Sequence, residues 1–275
     1  MESVHLLQLA VARRRAAKGG TEMSMANGRT INIDGNDLYF EERGSGPPLL
    51  LLHGFTGTSG DWQHVFDLGS LAASYRVIFP DARGHGRSTH RNGVFTFRRC
   101  ALDVIELLDQ LAIERVHAVG MSLGAKTLLH VATIDPSRVG RMIVVSASPR
   151  FPETTRALFR AAASAPHSPE DWEGMRALHV HGDEQIAALW KLPASFAADP
   201  TDMAFTAERL GAITAPTLVV AGDRDPLYPV ELAVELYRGI PHAALWVVPE
   251  GGHGPIFHEQ REEFVRRALP FLRAS

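Results

Sequence analysis

Cysteine is almost absent. Cys100 is the only one in 275 residues, which excludes an intramolecular disulfide and any zinc site built from a cysteine cluster. No apolar run approaches the roughly 20 residues that a membrane-spanning helix needs. Neither sign of charge dominates: 28 basic residues face 31 acidic ones, for a formal net charge of -3. No general attraction to nucleic acid or to an anionic membrane is therefore expected. No Gly-Lys-Ser/Thr run is present, so the Gly-rich stretches are not a phosphate-cradling P-loop. The apolar piece Val4 to Val11 precedes Arg13-Arg14-Arg15, the reverse of the order in a signal peptide. Residues 1–28 read as a poorly ordered leader, with Met23 and Met25 as alternative starts. A cytoplasmic monomer or homodimer is expected. A composition of 45% hydrophobic and 21% charged residues is ordinary for a globular chain. The length suits one large α/β domain, or a domain with an insertion.

The most informative stretch is Val119-Gly120-Met121-Ser122-Leu123-Gly124-Ala125. An apolar run, Val116 to Val119, leads in, and a largely apolar, proline-free stretch to Ile134 leads out. This pattern predicts a strand, a sharp turn and a helix, with Ser122 at the apex. A Cβ at position 120 or 124 would crowd such a turn, which explains the two glycines. The hydroxyl would then stand at a helix N-terminus, where unpaired N–H groups favour negative charge.

Around this elbow the chain alternates strands and helices. Thr30 to Ile33 and Leu38 to Glu41 flank Asp34-Gly35-Asn36 and read as an antiparallel hairpin. Leu49 to Leu52 is continuously apolar, as a strand buried on both faces should be. Trp62 to Ala73 carries a helical pattern, and Tyr75 to Phe79 is the next strand. Phe97, Cys100, Val104, Leu107, Leu108 and Leu111 form one helical stripe. Arg141 to Ser146, Thr217 to Ala221 and Leu245 to Val248 are later strands. The helical stretch Val230 to Arg238 separates the last two, and a helix through Phe264 to Leu272 closes the chain. Such alternation implies a mostly parallel sheet. Residues 149–212 break the rhythm: no strand is evident, and prolines at 149, 152, 166, 169, 193 and 200 punctuate short helical pieces. Ligands bind at the carboxyl ends of strands in such sheets, so this segment reads as a helical cap inserted into a core of residues 29–148 and 213–275.

A nucleophilic serine needs a base, and the base an orienting acid. His253, in Gly251-Gly252-His253-Gly254, follows the strand Leu245 to Val248 and lies at the same sheet edge as Ser122. His242 precedes that strand, and His258 begins the last helix. Asp223 and Asp225 both follow the strand Thr217 to Ala221. Asp225 lies further out, and Pro226 biases it toward an extended backbone. Oxyanion donors would be the N–H groups of Leu123 and of Phe55, in the loop His53-Gly54-Phe55. A rival cluster, His179-Val180-His181-Gly182-Asp183, has the start of a zinc-site spacing but no second histidine cluster behind it. His85 reads as structural. No metal or cofactor is expected.

In this order, His53-Gly54-Phe55, Asp81 to Ser88, the elbow, Gly222-Asp223-Arg224-Asp225 and Gly252-His253 resemble the α/β-hydrolase fold superfamily from about residue 30 onward. The resemblance implies a mostly parallel eight-stranded sheet flanked by helices, with a small helical cap. It also favours Asp225 as the acid, three residues after its glycine. It is closest in kind to small esterases, lactonases and carbon–carbon bond hydrolases. Haloalkane dehalogenases and epoxide hydrolases carry Asp at the elbow, where this chain has Ser122. The expected activity is hydrolysis of a small carboxylic ester by a triad of Ser122, His253 and Asp225. The alternatives are a carbon–carbon bond hydrolase or lactonase with the same triad, and a ligand-sensing receptor on the same fold. Phe151, Phe159, Trp172, Trp190, Leu192 and Phe196 of the insertion predict an apolar pocket for a short- to medium-chain or aromatic acyl group. Phe55, Met121, Trp190 and Phe196 are its expected lining.

Overall fold

The computed structural model describes residues 28–91 and 93–274. The leader expected over residues 1–28 therefore lies, but for Gly28, outside the described residues. The first strands, β1 (Gly28–Ile33) and β2 (Asn36–Arg43), form the expected hairpin. Its turn places Asp34 and Gly35 at positive φ, 51° and 74°, which Gly and Asp tolerate better than other residues. Then come β3 (Pro48–Leu52), β4 (Arg76–Pro80), β5 (Val116–Met121), β6 (Val139–Val145), β7 (Thr217–Gly222) and β8 (Ala243–Val248). The eight strands lie side by side in the order β1-β2-β4-β3-β5-β6-β7-β8. β2 is antiparallel to both β1 and β4, and every other pairing is parallel. This is the α/β-hydrolase fold.

The unbroken apolar run in β3 follows from its central place. Leu50 and Leu52 point into one core, while Leu49 and Leu51 point into the other, because alternate strand residues face opposite sides. On the first face pack α2 (Phe97–Gln110), α3 (Leu123–Ile134) and α8 (Val230–Gly239), through Leu107, Leu128 and Leu236 among others. On the second pack a 3-10 turn (Ser59–His64), α1 (Leu68–Ala72) and α9 (Arg261–Arg273), through Trp62, Leu71, Phe264 and Leu272.

Two local expectations need correction. Trp62 to Ala73 is not one helical pattern but the 3-10 turn followed by α1. The break falls at Asp67, whose carboxylate accepts from the Gly69 and Ser70 N–H groups and starts a new helix. In the insertion, Pro169 does open a helix, but Pro193 does not end one. It lies inside the 16-residue helix α6 (Asp183–Ala198). The ring removes one backbone hydrogen bond, yet Leu189, Pro193, Phe196 and Ala197 are all buried, and that packing carries the helix through. The remaining insertion helices are α4 (Glu153–Ala163), α5 (Pro169–Arg176) and α7 (Ala207–Gly211). Among the described residues, no strand interrupts residues 149–212.

The parallel strands β3, β5, β7 and β8 end at one edge of the sheet, which brings the loops after Leu52, Met121, Gly222 and Val248 together. A methyl group added at Gly124 would collide with the Leu52 carbonyl, and one added at Gly120 would strike the Gly124 backbone. Gly124→Ala should therefore push α3 off the end of β3. A loss of about 1–3 kcal/mol is expected, read as a drop of several degrees in the thermal midpoint. An unchanged midpoint would show that helix and strand do not press on each other there.

Candidate active site

Ser122 sits between β5 and α3 at φ 50° and ψ -102°, a conformation that costs a non-glycine residue roughly 1–3 kcal/mol. Backbone bonds on both sides hold it there. Its N–H donates to Val145 O at 2.8 Å, and its carbonyl accepts from the Lys126 N–H at 3.0 Å. The side chain is thereby lifted off the sheet, beside the first turn of α3.

His253 Nε2 lies 2.9 Å from Ser122 Oγ, and His253 Nδ1 lies 2.8 Å from Asp225 Oδ2. A carboxylate only accepts, so Nδ1 carries the proton and donates to Asp225. Nε2 is then free to accept from the serine hydroxyl. The other Asp225 oxygen accepts from the backbone N–H groups of Leu227 (2.8 Å) and Tyr228 (3.2 Å). Asp223 does not take part: it is exposed, and its N–H donates to Val248 O. The loops bearing Asp225 and His253 touch through backbone. Arg224 N–H donates to Gly251 O at 2.8 Å, and a Cβ on Gly222 would collide with that carbonyl. Asp225 has 1% of its side chain exposed and His253 21%, so the assembly opens to solvent on the histidine side.

Leu123 opens α3, so its N–H has no acceptor within the helix. The Gly124 N–H donates to His53 O at 3.1 Å, which ties the Phe55 loop to the same turn. His53 fixes that loop in turn: its Nδ1–H donates to Gly54 O (2.7 Å), and its Nε2 accepts from the Ala82 N–H (2.9 Å). Behind it, Asp81 accepts from the Ser59 and Arg87 N–H groups, and Arg83 makes a two-pronged ion pair with Asp103, both contacts 2.6 Å. His85 is completely buried there. Burial, with His53 and His179 alongside, holds its imidazole well below the usual range, so it is neutral and structural.

The rival cluster has another role. His179 Nδ1 accepts from the Gly86 N–H at 2.8 Å, and His181 Nε2–H donates to Arg87 O at 2.9 Å. Gln185 adds amide bonds to Gly84 O, Gly86 O and Ser88 O. These residues bind the insertion to the Arg83–Ser88 loop. Among the described residues, no group of three or more His, Cys, Asp or Glu side chains is arranged to hold a metal ion.

Of the expected lining residues, Phe196 packs against the loop of Phe55. Its ring lies 5.9 Å from Phe55 and 4.9 Å from Phe97. Met121 is wedged between the Phe55 and His253 loops, close enough to exclude a side chain at Gly54. Trp190 stacks on His167 at 3.6 Å and meets Trp172 edge-on at 4.5 Å, and like Phe55 it packs against the cluster of Met175, Ile186 and Leu189. Two residues escaped the sequence reading. Tyr228 lays its ring 5.3 Å from that of His253. Lys126, in a stretch that reads as apolar, is buried with its ammonium 2.9 Å from the Tyr228 hydroxyl. A lysine four residues after the elbow serine, on the same helix face, was the available signal.

The chain belongs to the alpha/beta hydrolase family, whose family model matches residues 49–267. It is similar to the RutD protein of Variovorax paradoxus, which carries a carbamate hydrolase name, at 33% identity over 86% of this chain and 96% of that one. It is also similar to the 2-hydroxy-6-oxo-6-phenylhexa-2,4-dienoate hydrolase of Comamonas testosteroni, at 29% identity over 86% of this chain and 91% of that one. Among solved structures, a hydrolase from Pseudomonas aeruginosa PA01 matches with a TM-score of 0.73 and 26% identity, covering 91% of this chain and all of that one. The family is thus a hydrolase family, and the names of its members span more than one kind of bond.

Proposed function

We propose that the protein is a serine hydrolase that cleaves small carboxylic esters through an acyl-enzyme. The observation that carries this reading is the continuous chain Ser122 Oγ, His253 and Asp225, with hydrogen bonds of 2.9 and 2.8 Å. In this mechanism His253 Nε2 takes the proton as Ser122 Oγ attacks the acyl carbonyl. Asp225 stabilises the imidazolium. The Leu123 and Phe55 N–H groups receive the developing oxyanion. His253 then passes its proton to the leaving alcohol, and water repeats the sequence to release the acid.

An ester asks least of this site, because its alcohol leaves with one proton from His253. Cleavage of a carbon–carbon bond would also require a group that protonates carbon before attack, and Phe196, which the insertion packs on Phe55, is apolar. Phe55, Met121, Trp190 and Phe196 suit the acyl side of a short- to medium-chain or aromatic ester. The similarity to a dienoate hydrolase keeps a second reading in view, with the same three residues acting on a carbon–carbon bond. A panel of p-nitrophenyl esters of increasing acyl length, run beside that dienoate, separates the two. Steady ester turnover well above dienoate turnover supports the first reading, the converse supports the second, and a single burst without turnover would indicate a receptor.

Ser122→Ala should lower ester turnover by about 10⁴-fold or more with the fold intact. Retention of a few per cent of wild-type turnover would remove Ser122 as nucleophile. Asp225→Asn keeps the shape but cannot stabilise an imidazolium, so it should cut turnover by about 10³-fold or more. Asp223→Asn, on an exposed side chain, should have little effect. A dead 223 variant beside a nearly normal 225 variant would reverse the assignment of the acid.

A further inference from the structure

Only three of the 28 basic residues are lysines, and one of them, Lys126, is 2% exposed. Its side chain leaves the first turns of α3 on the face of Ser122 and runs back toward the helix N-terminus, as helical side chains do. The ammonium sits over three aromatic faces: Tyr228 at 4.8 Å, Phe97 at 5.1 Å and Phe151 at 5.7 Å. Its one hydrogen bond among the described residues goes to the Tyr228 hydroxyl. Among the described residues, no carboxylate lies within ion-pair distance. The field of Asp225 favours its charged form. An ammonium has three donors, so this cation is desolvated with most of its hydrogen-bonding capacity answered only by rings. A buried methionine or leucine would fit the surroundings at less cost.

What the lysine touches accounts for its retention. Tyr228 is the residue whose N–H donates to Asp225 and whose ring lies against His253. We propose that Lys126 is a positioning residue of the Ser122–His253–Asp225 group: its ammonium, bonded to the Tyr228 hydroxyl inside the cage of Phe97, Phe151 and Tyr228, pins the Tyr228 segment that holds both Asp225 and His253, and its charge favours the Asp225 carboxylate and the neutral His253 imidazole. The proposal rests on the serine-hydrolase reading only for its effect on turnover; the link from Lys126 to His253 is tested without catalysis. Burial pushes the Lys126 ammonium down to about 7, so its charge is present below that pH and fades above it. The charge is therefore largely present at and below the ordinary histidine value of about 6.5.

The experiment is an NMR titration of the His253 imidazole in the full-length protein, in wild type, Lys126→Met, Lys126→Arg and Lys126→Met/Tyr228→Phe. Removing the positive charge makes the imidazolium easier to form. The His253 midpoint should therefore rise by about half a pH unit or more in Lys126→Met and not in Lys126→Arg. The acid limb of kcat/KM should move in the same direction, with kcat/KM reduced at least several-fold where wild type is most active. The double variant carries neither the buried charge nor the stranded hydroxyl, so its thermal midpoint should match or exceed that of wild type. A folded Lys126→Met protein with an unmoved His253 midpoint overturns the proposal, whatever its turnover. So does a loss confined to KM for anionic esters, which would make the lysine a substrate contact. If Ser122→Ala retains activity, the hydrolase mechanism fails while the His253 titration still decides the link to Lys126.

Discussion

The site depends on how closely backbone approaches backbone at one edge of the sheet. Helix α3 presses on the end of β3 through Gly124 and Leu52, and the loops after β7 and β8 meet through Gly222 and Gly251. Neither approach leaves room for a Cβ. Side-chain hydrogen bonds of 2.8 and 2.9 Å can form only because the backbones have first brought their residues that near. The positive φ at Ser122 belongs to the same arrangement. A strained residue persists where its surroundings over-determine it, and here the Val145 carbonyl, the Lys126 N–H and the Gly124–His53 bond fix the turn from three directions.

The insertion is tied to this edge by two different kinds of contact. Polar bonds from His179, His181 and Gln185 grip the backbone of the Arg83–Ser88 loop. That loop is itself fixed by Asp81 and by the Arg83–Asp103 pair, and it reaches the oxyanion side through His53 and Ala82. Apolar contact comes from Phe196, which meets Phe55 from the oxyanion loop and Phe97 from α2. The polar contacts set where the insertion stands, since hydrogen bonds are directional. The ring contacts add apolar burial, which is non-directional and dictates no single geometry.

Much of this was legible in the sequence, for reasons that can be stated residue by residue. Strands buried on both faces must be continuously apolar, so Leu49 to Leu52 could be recognised without a structure. The elbow was visible because only glycine permits the contacts at 120 and 124. Asp225 was separable from Asp223 because Pro226 restricts the backbone before it, and the structure has the first buried against His253 and the second in solvent. What escaped depended on three-dimensional neighbours. The split at Asp67 turned on a side chain bonding its own backbone, which a periodicity count does not register. Pro193 inside α6 was settled by tertiary packing within the insertion. Lys126 was hidden by the apolar residues around it, although its spacing from Ser122 was in plain view.

The two buried cations of the core show how differently the chain treats charge near the site. Arg83, 2% exposed, is answered by a carboxylate that takes two of its N–H groups in plane, the geometry for which a guanidinium is suited. Its charge is neutralised locally, and its work is to hold a loop. Lys126, equally buried, is answered by a phenol and three ring faces. Its charge is left uncompensated in a low-dielectric region and is felt by Asp225. If burial were the only requirement at position 126, an apolar side chain would meet it at lower desolvation cost. A titratable cation there, bonded to the residue that packs on His253, adds a field near Asp225 to the hold it has on the Tyr228 segment.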